Sequence, residues 1–271
     1  METLTLSTLE TRLNVSLDEV VENIRSSSRR DLPWLQEATA HDGVALICGG
    51  GPSLRDSIEE IRTRQRSGQT IFAINGACAM LNKHGIRPNY LFMMDALPQS
   101  ADFLDADAAV YLLASQCHPD TFDRAAGTPT LLWHAKGTLD CEILIPPERM
   151  PDMFVVGGGV TALTRCMAIA FITGNRLLHC YGVDSSRRGV DHHAYDQVED
   201  NGQHECIVPI EGREFKTSIA MAAQVLEFIR FSKLLADLDC ITHVHGDGML
   251  PFACQIAWPG EVKPMAMTEA C

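Results

Sequence analysis

Short apolar runs alternate with helical segments from residue 43 onward, and this alternation limits the possible folds. In the first half of the chain, the apolar runs predicted as strands are residues 44–48, 70–75, 90–95, 110–114 and 130–134. The segments 54–66 and 77–83, which lie between them, have the pattern of helices. Strands that alternate with helices form a mostly parallel sheet that is covered on both faces. The sequence therefore predicts an α/β protein, and we expect a Rossmann-like three-layer sandwich.

The second half of the chain continues the alternation. The predicted elements are a strand at 154–156, a helix at 161–173, a strand at 177–183, a polar loop at 185–203, a hairpin within 204–215, a helix at 217–235 and a strand at 240–245. The residues after Pro251 are predicted to be irregular. At the other end, Ser16 and Glu19 have the spacing of a capping box that opens an amphipathic helix. We therefore expect a small helical N-terminal region, residues 1–40, followed by one Rossmann-like domain, residues 41–271.

Composition excludes several classes of partner. The formal net charge of the 271 residues is −13, which disfavours nucleic-acid binding, because that affinity comes mostly from neutralised phosphates. The chain has no apolar run long enough to span a membrane, and its first residues lack the pattern of a secretory signal. The ten cysteines form no CxxC pair and fall mostly within apolar runs. We expect buried thiols in a reducing, cytoplasmic protein.

Small, polar or acidic residues follow the predicted strands, at the edge of a parallel sheet where ligands bind. The first such ending is Gly49, Gly50, Gly51, Pro52 and Ser53. Glycines let a ligand approach the backbone, and the amides at the start of the following helix favour an anion. The loop matches neither the Walker A pattern nor GxGxxG. The alternative is a tight strand-to-helix turn without a ligand.

Other strand endings add acidic groups and a second glycine turn. Asp95 and Asp184 each follow a predicted strand, where a carboxylate either holds Mg²⁺ or caps the next helix. The turn at residues 157–159 precedes Thr161, whose hydroxyl either caps a helix or meets a ligand.

Basic and imidazole side chains occur in the polar loop. Arg187 and Arg188 either neutralise a phosphate or lie on a solvated loop. The adjacent His192 and His193 lack the accompanying ligand spacing of a structural zinc site, so we expect one of them near a substrate instead. No nucleophile elbow or Cys–His signature indicates covalent catalysis. For the two histidines of the last strand, at positions 243 and 245, core or surface positions are the default expectation.

Four sequence blocks together resemble the MptE-like family. They are ICGGGPSL, FAINGACAMLNKHGIRPNYLFMMD, VVGGGVTALTRCMAIAFITGNRLLHCYGVDSS and EFKTSIAMAAQVLEF, spread over residues 45–251. The namesake of the family is an archaeal 6-hydroxymethylpterin diphosphokinase, which transfers a diphosphate from ATP, with Mg²⁺, to a reduced pterin. The family is similar to motility-associated glycosyltransferases and to bacterial sialyltransferases that use CMP-sugars.

The resemblance implies roles for individual residues. The residues expected to bind the nucleotide are Gly49, Gly50, Gly51, Pro52, Ser53, Asn75, Gly76, Gly158, Gly159, Thr161 and Thr217, the last at the start of a helix. Asp95, Asp184 and His193 are expected to be catalytic, and the two aspartates are expected to hold Mg²⁺. In the sialyltransferases a catalytic histidine precedes the helix that corresponds to the one predicted to begin at Thr217. Residues 211–216 of this chain contain none, so that chemistry requires His192, His193 or His204 as a substitute.

The resemblance therefore implies a nucleotide-dependent transferase. Our first expectation is a diphosphokinase that uses ATP and Mg²⁺ on a 6-hydroxymethyl-dihydropterin-like alcohol, since such a transfer needs mainly positioning and charge neutralisation. The alternatives are a glycosyltransferase that uses a CMP-activated sugar and a nucleotide-binding protein without catalysis. The expected partners are a nucleotide and a small-molecule acceptor, with neither nucleic acid nor membrane, and a homo-oligomer is one possibility.

Overall fold

A parallel sheet of eight strands forms the centre of the molecule in the computed structural model, which describes residues 15–137, 144–195 and 205–257. Its strands are β1 (His41–Cys48), β2 (Thr70–Ile74), β3 (Tyr90–Met93), β4 (Val110–Ala114), β5 (Thr130–Ala135), β6 (Val155–Val156), β7 (Asn175–Tyr181) and β10 (Ile241–Val244). They are arranged in the order β10-β7-β1-β2-β3-β4-β5-β6, and each neighbouring pair is parallel. The predicted parallel sheet is confirmed.

Helices cover both faces of this sheet. They are α1 (Leu17–Ser28), α2 (Ile58–Arg66), α3 (Ala77–Lys83), α4 (Pro119–Arg124), α5 (Ala162–Ile172), α6 (Ile219–Ala236) and α7 (Met249–Ala257). Tyr181 of β7 reaches α2, where its hydroxyl donates to Glu60 at 2.8 Å. Side chains alternate between the two faces along a strand, so one strand can contact helices on both faces of the sheet. Strand β7 also packs against α5, and α5 packs against β1 and β2 as well. The result is the expected three-layer α/β sandwich. Among the described helices, none has the length and apolar character needed to cross a membrane.

The core follows from strands that are apolar on both faces. Residues 45–48 of β1 are completely buried, and the largest fully buried side chains include Trp133, Tyr181, Phe72 and Phe92. Eight cysteines lie in the described part of the chain; all are free, and seven are buried. They act as small apolar side chains, because burial raises the pKa of thiols such as Cys166 and Cys180.

The N-terminal helix forms where the capping box predicts it. The Ser16 hydroxyl accepts the Glu19 N–H at 3.3 Å, and the Glu19 carboxylate accepts the Ser16 N–H at 2.8 Å. The helix is not separate from the sheet. The buried Asn23 amide donates to the carbonyls of Ala96 and Gln116, which follow β3 and β4. Helix α1 thus covers the carboxyl ends of these two strands.

Three predicted boundaries were wrong. The predicted helix 54–66 is a 3₁₀ helix, Pro52–Ser57, followed by α2. The hairpin consists of β8 (Glu205–Ile210) and β9 (Arg213–Ser218), so α6 begins at Ile219 and not at Thr217. The chain after Pro251 is helical up to the end of α7. Pro251 lies in the first turn of this helix, where a missing N–H costs little, and Leu250 beside it is fully buried.

Candidate active site at the carboxyl ends of the strands

The order of the strands reverses between β1 and β7. From β1 the chain proceeds to β6 on one side, and β7 then returns to the other side of β1. In open parallel sheets such a reversal leaves a crevice beyond the carboxyl ends of the two strands, and ligands bind there. The loops at this crevice are residues 49–53 after β1 and residues 182–186 after β7.

The glycines of the first loop allow these two loops to touch. The Gly49 N–H donates to the Tyr181 carbonyl at 2.8 Å, and the Gly51 N–H donates to the Gly182 carbonyl at 2.7 Å. A Cβ at position 49 would lie 2.7 Å from the Gly182 carbonyl oxygen, closer than real Cβ atoms approach. Close packing between β1 and β7 therefore accounts for Gly49 and Gly51 without a ligand.

The same contacts occupy most amides of the loop. Besides Gly49 and Gly51, Ser53 donates its N–H to the Asp184 carboxylate at 3.0 Å, and Leu54 donates to the Gly51 carbonyl at 3.1 Å. These amides were expected to face an anion. In the structure they face protein acceptors, and Asp184 stands where that anion was expected.

Asp184 anchors the glycine loop. One carboxylate oxygen accepts both the Ser53 N–H and the Ser53 hydroxyl, at 3.0 and 2.9 Å. The side chain is 3% exposed, and this burial raises the pKa of the carboxyl group above its ordinary value, against the opposing effect of the two hydrogen bonds. Glycine at position 248 makes room for it, because a Cβ there would lie 2.5 Å from the Cβ of Asp184.

The structure does not bring Asp95 and Asp184 together. Asp95 follows β3, where its carboxylate accepts the Leu97 N–H at 3.1 Å, and β1 and β2 lie between β3 and β7. Three strand spacings separate the two residues by about 14 Å. A single Mg²⁺ with bonds of about 2.1 Å cannot contact both carboxylates. Across the described ranges, no group of three His, Cys, Asp or Glu side chains could hold a metal ion.

One of these carboxylates could still bind Mg²⁺ together with phosphate groups of a ligand, because proteins commonly bind Mg²⁺ through one or two carboxylates plus phosphates. Asp95 fits this role better, since it is partly exposed while Asp184 is buried against Ser53.

Asn75 and Gly76 lie beside the first loop, at the end of β2. Asn75 adopts a left-handed backbone conformation with φ of 49°, and its N–H donates to the Phe92 carbonyl at 3.1 Å. Its side-chain Oδ1 is buried and has no hydrogen-bond partner among the described residues. An unpaired buried acceptor is costly, and a hydroxyl or amine of a ligand would satisfy it.

The second glycine turn contacts helices. Gly158 and Gly159 have φ of 88° and 91°, and their nearest atoms belong to α5 and α6, including the ring of Phe231. The Thr161 hydroxyl accepts the Thr164 N–H at 3.2 Å and so caps α5. Two roles were considered for Thr161, a helix cap and a ligand contact, and in the structure Thr161 is the helix cap.

Thr217 lies on β9 and not at a helix start. Its hydroxyl donates to the Ser185 carbonyl at 2.7 Å, and the residue is 2% exposed. It therefore fixes the loop after β7, while Ser218 caps α6 by accepting the Met221 N–H.

Residues 187–195, which we call the strap, cover the first glycine loop. The Ala194 N–H donates to the Gly50 carbonyl at 2.9 Å. Arg55 holds the strap from the 3₁₀ helix: its guanidinium donates to the carbonyls of Ala194 and His193, at 2.8 and 3.2 Å, and to the Asp191 carboxylate. Arg188 fastens the other end through ion pairs with Asp56 and Asp247. The two loop arginines considered as phosphate ligands are thus paired with carboxylates, Arg187 with Glu205.

His193 lies at the crevice. Its Nδ1 is 3.3 Å from the Gly50 carbonyl oxygen. Burial is the main reason why its pKa is lowered to about 4, so the imidazole is neutral at pH 7. The carbonyl partner assigns the proton to Nδ1, which leaves Nε2 as a proton acceptor. A neutral imidazole with an open nitrogen can act as a general base.

Tyr195 was missed by the sequence analysis. Its ring stacks on His193, with centroids 5.4 Å apart, and lies directly over Gly50 and Gly76. A single tyrosine in a polar loop gives no local signal of such a contact, which depends on how the strap folds back over β1.

The chain resembles a MAf glycosyltransferase from Magnetospirillum magneticum AMB-1 with a TM-score of 0.68 and 18% sequence identity, over 88% of this chain and 38% of that one. The chain thus spans well under half the length of that protein, and the likeness establishes the fold. No curated protein sequence matched the chain. The family model described as "6-hydroxymethylpterin diphosphokinase MptE-like" matches residues 18–189, more than half of the sequence. The chain therefore belongs to the MptE-like family.

Proposed function

We propose that the chain is a nucleotide-dependent transferase that binds its donor in the crevice between β1 and β7. The MptE-like family and the fold shared with a glycosyltransferase both support a transferase. The observation that carries the proposal is the neutral imidazole of His193 beside Gly50, at the point where the strand order reverses. A base at this position suits transfer to the hydroxyl group of a small acceptor.

The first candidate reaction is the one in the family description, a diphosphoryl transfer from ATP to a 6-hydroxymethyl-dihydropterin-like alcohol. The acceptor oxygen attacks the β-phosphorus, and His193 Nε2 takes the hydroxyl proton. The bond from the β-phosphorus to the oxygen that it shares with the α-phosphorus then breaks, and AMP leaves with that oxygen. Mg²⁺, when bound, would neutralise phosphate charge, and Asp95 is the residue that would hold it.

The second candidate is glycosyl transfer from a CMP-activated sugar. Two observations favour it: His193, one of the three histidines that could substitute for the missing base, lies beside the Gly50 carbonyl, and Asp95 and Asp184 are too far apart to share a metal ion. Glycosyl transfer of this kind depends on a base near the acceptor hydroxyl and less on a metal.

Thermal shift assays separate the candidates. ATP, CMP and a CMP-sugar are each added with and without Mg²⁺, and any stabilised complex is then tested for turnover. If the chain is a diphosphokinase, ATP with Mg²⁺ should stabilise the protein against thermal unfolding, and AMP should be released when a hydroxymethyl-dihydropterin is added. Stabilisation by CMP alone, without dependence on metal, contradicts the diphosphokinase and favours the glycosyltransferase. Nucleotide binding without turnover of any acceptor tested would support the third alternative, a nucleotide-binding protein without catalysis.

A further inference from the structure

The ring of Tyr195 fills the space above two strand-end glycines. A Cβ built on Gly50 would lie 2.4 Å from the Tyr195 hydroxyl oxygen, and one built on Gly76 would lie 2.6 Å from carbon atoms of the ring. We call the space bounded by Gly50 and Gly76 the cradle. Any side chain at either position would displace the ring, so both glycines are explained by Tyr195.

The backbone that carries this ring is firmly held. The Ala194 N–H donates to the Gly50 carbonyl at 2.9 Å, and the Arg55 guanidinium donates to the carbonyls of Ala194 and His193 at 2.8 and 3.2 Å. Withdrawal of the strap would break all three hydrogen bonds.

Within the described residues, the ring is held by packing. It stacks on His193 at an interplanar angle of 17°. Burial raises the pKa of Tyr195 to about 12, and no charged group contributes to that shift. Rotation about the side-chain torsions therefore exposes the cradle and leaves every hydrogen bond of the strap backbone intact.

We propose that Tyr195 is a gate for the nucleotide: its ring occupies the cradle and has to rotate away before a phosphate group can contact Gly50 and Gly76. This inference rests on the proposed function. The ring and a phosphate compete for one space, so the measured affinity equals the intrinsic affinity multiplied by the fraction of molecules with the cradle open. The opposite arrangement is a ring that stays in place and stacks on the base of the nucleotide, as aromatic side chains do in other nucleotide sites.

The two arrangements predict opposite effects of removing the ring. In the full chain, Tyr195→Ala is compared with Tyr195→Phe, which keeps the ring, by titration calorimetry with ATP plus Mg²⁺, CMP and inorganic pyrophosphate. If the ring fills the cradle nine-tenths of the time, Tyr195→Ala binds about tenfold more tightly than the wild type, while Tyr195→Phe stays within about twofold. Thermal melting checks that each variant is folded. Should Tyr195→Ala fail to fold, Tyr195→Leu, whose shorter side chain lacks the ring and hydroxyl that lie over the two glycines, replaces it.

Each outcome decides one question. Tighter binding by Tyr195→Ala supports the gate. Weaker binding shows that the ring is a stacking platform, and unchanged binding shows that it has no part in the site; both overturn the gate while the proposed function stands. Binding of none of these ligands to the wild type or to any folded variant overturns the proposed function, and the nucleotide gate with it.

Discussion

At the scale of single residues, the crevice owes its shape to Asp184. Its carboxylate binds Ser53 across 131 positions of sequence and holds the glycine loop against β7. The sequence marked Asp184 as a strand-end carboxylate, but a partner so distant cannot be identified from one sequence. The same holds for the loop amides, because their acceptors Tyr181 and Gly182 become neighbours only when β1 and β7 pair.

Removing this carboxylate should destabilise the fold. Asp184→Ala leaves the buried N–H and hydroxyl of Ser53 without their acceptor, and we expect the free energy of unfolding to fall by about 2–4 kcal/mol. Urea titration measures the change. Asp102→Ala, at an exposed position, serves as the control and should change stability by less than about 0.5 kcal/mol. Equal stability of the Asp184 variant and the wild type would refute the anchoring role.

His193 carries the chemical step of the proposal. Replacing it by alanine should lower the turnover number by a factor on the order of 10²–10⁴, the usual contribution of a general base, while any change in nucleotide affinity should follow from the loss of its stacking on Tyr195. His84→Ala, at an exposed position next to α3, is the matched control. Steady-state kinetics with the acceptor found in the ligand screen give both parameters. A His193 variant with full turnover would remove this residue from the mechanism.

At the scale of elements, buried strands were predictable and contacts between segments were not. Runs such as Ala45 to Cys48 are apolar throughout and end in glycine, which is typical of a strand buried on both faces. The start of α6 was misplaced because Thr217 and Ser218 are both common helix caps, and only the pairing with β8 shows that the strand continues through them. The position of the strap was equally hidden, because Arg55 and Ala194 are far apart in sequence.

The strap should depend on Arg55. Arg55→Ala removes its hydrogen bonds to Ala194, His193 and Asp191, and we expect amide exchange in residues 187–195 to speed up about tenfold. Hydrogen exchange with mass spectrometry reads this peptide directly. Arg62→Ala is the matched control, because this α2 arginine contacts Glu59 and His84 instead. If the two variants exchange alike, the strap is held by something other than Arg55.

At the scale of the whole molecule, the parallel sheet packs a histidine cluster against α2. His179 and His245 share a hydrogen bond of 2.9 Å between their rings, and burial lowers their pKa to about 3 and about 4. The groups that face them are Glu60 and Arg64 of α2, Tyr181 of β7 and His243 of β10. The sequence was compatible with either a core or a surface position for His245, and in the structure His245 is buried.

This cluster predicts acid sensitivity. The unfolded chain protonates these histidines near pH 6.5, whereas the folded protein keeps them neutral to about pH 4. The unfolded state therefore binds more protons in this range, and stability that is fully present above pH 6.5 is lost as the pH falls. Between pH 7.5 and pH 5, each histidine should lower the free energy of unfolding by about 2 kcal/mol.

Urea unfolding at several pH values tests this expectation. His193 also stays neutral in the folded protein to about pH 4, so His179→Gln, which does not titrate, should remove about a third of the pH dependence that the three histidines cause. A variant with the same pH dependence as the wild type would show that other groups cause it.

The proposed function requires a nucleotide to bind where the strand order reverses between β1 and β7. A crystal structure of the protein with CMP or with a non-hydrolysable ATP analogue and Mg²⁺ would test this binding site. We expect the phosphates beside Gly50 and Gly76, a hydrogen bond from the nucleotide to Asn75 Oδ1, and the Tyr195 ring rotated out of the cradle. A nucleotide bound elsewhere, with Tyr195 still over both glycines, would contradict both the proposed binding site and the gate.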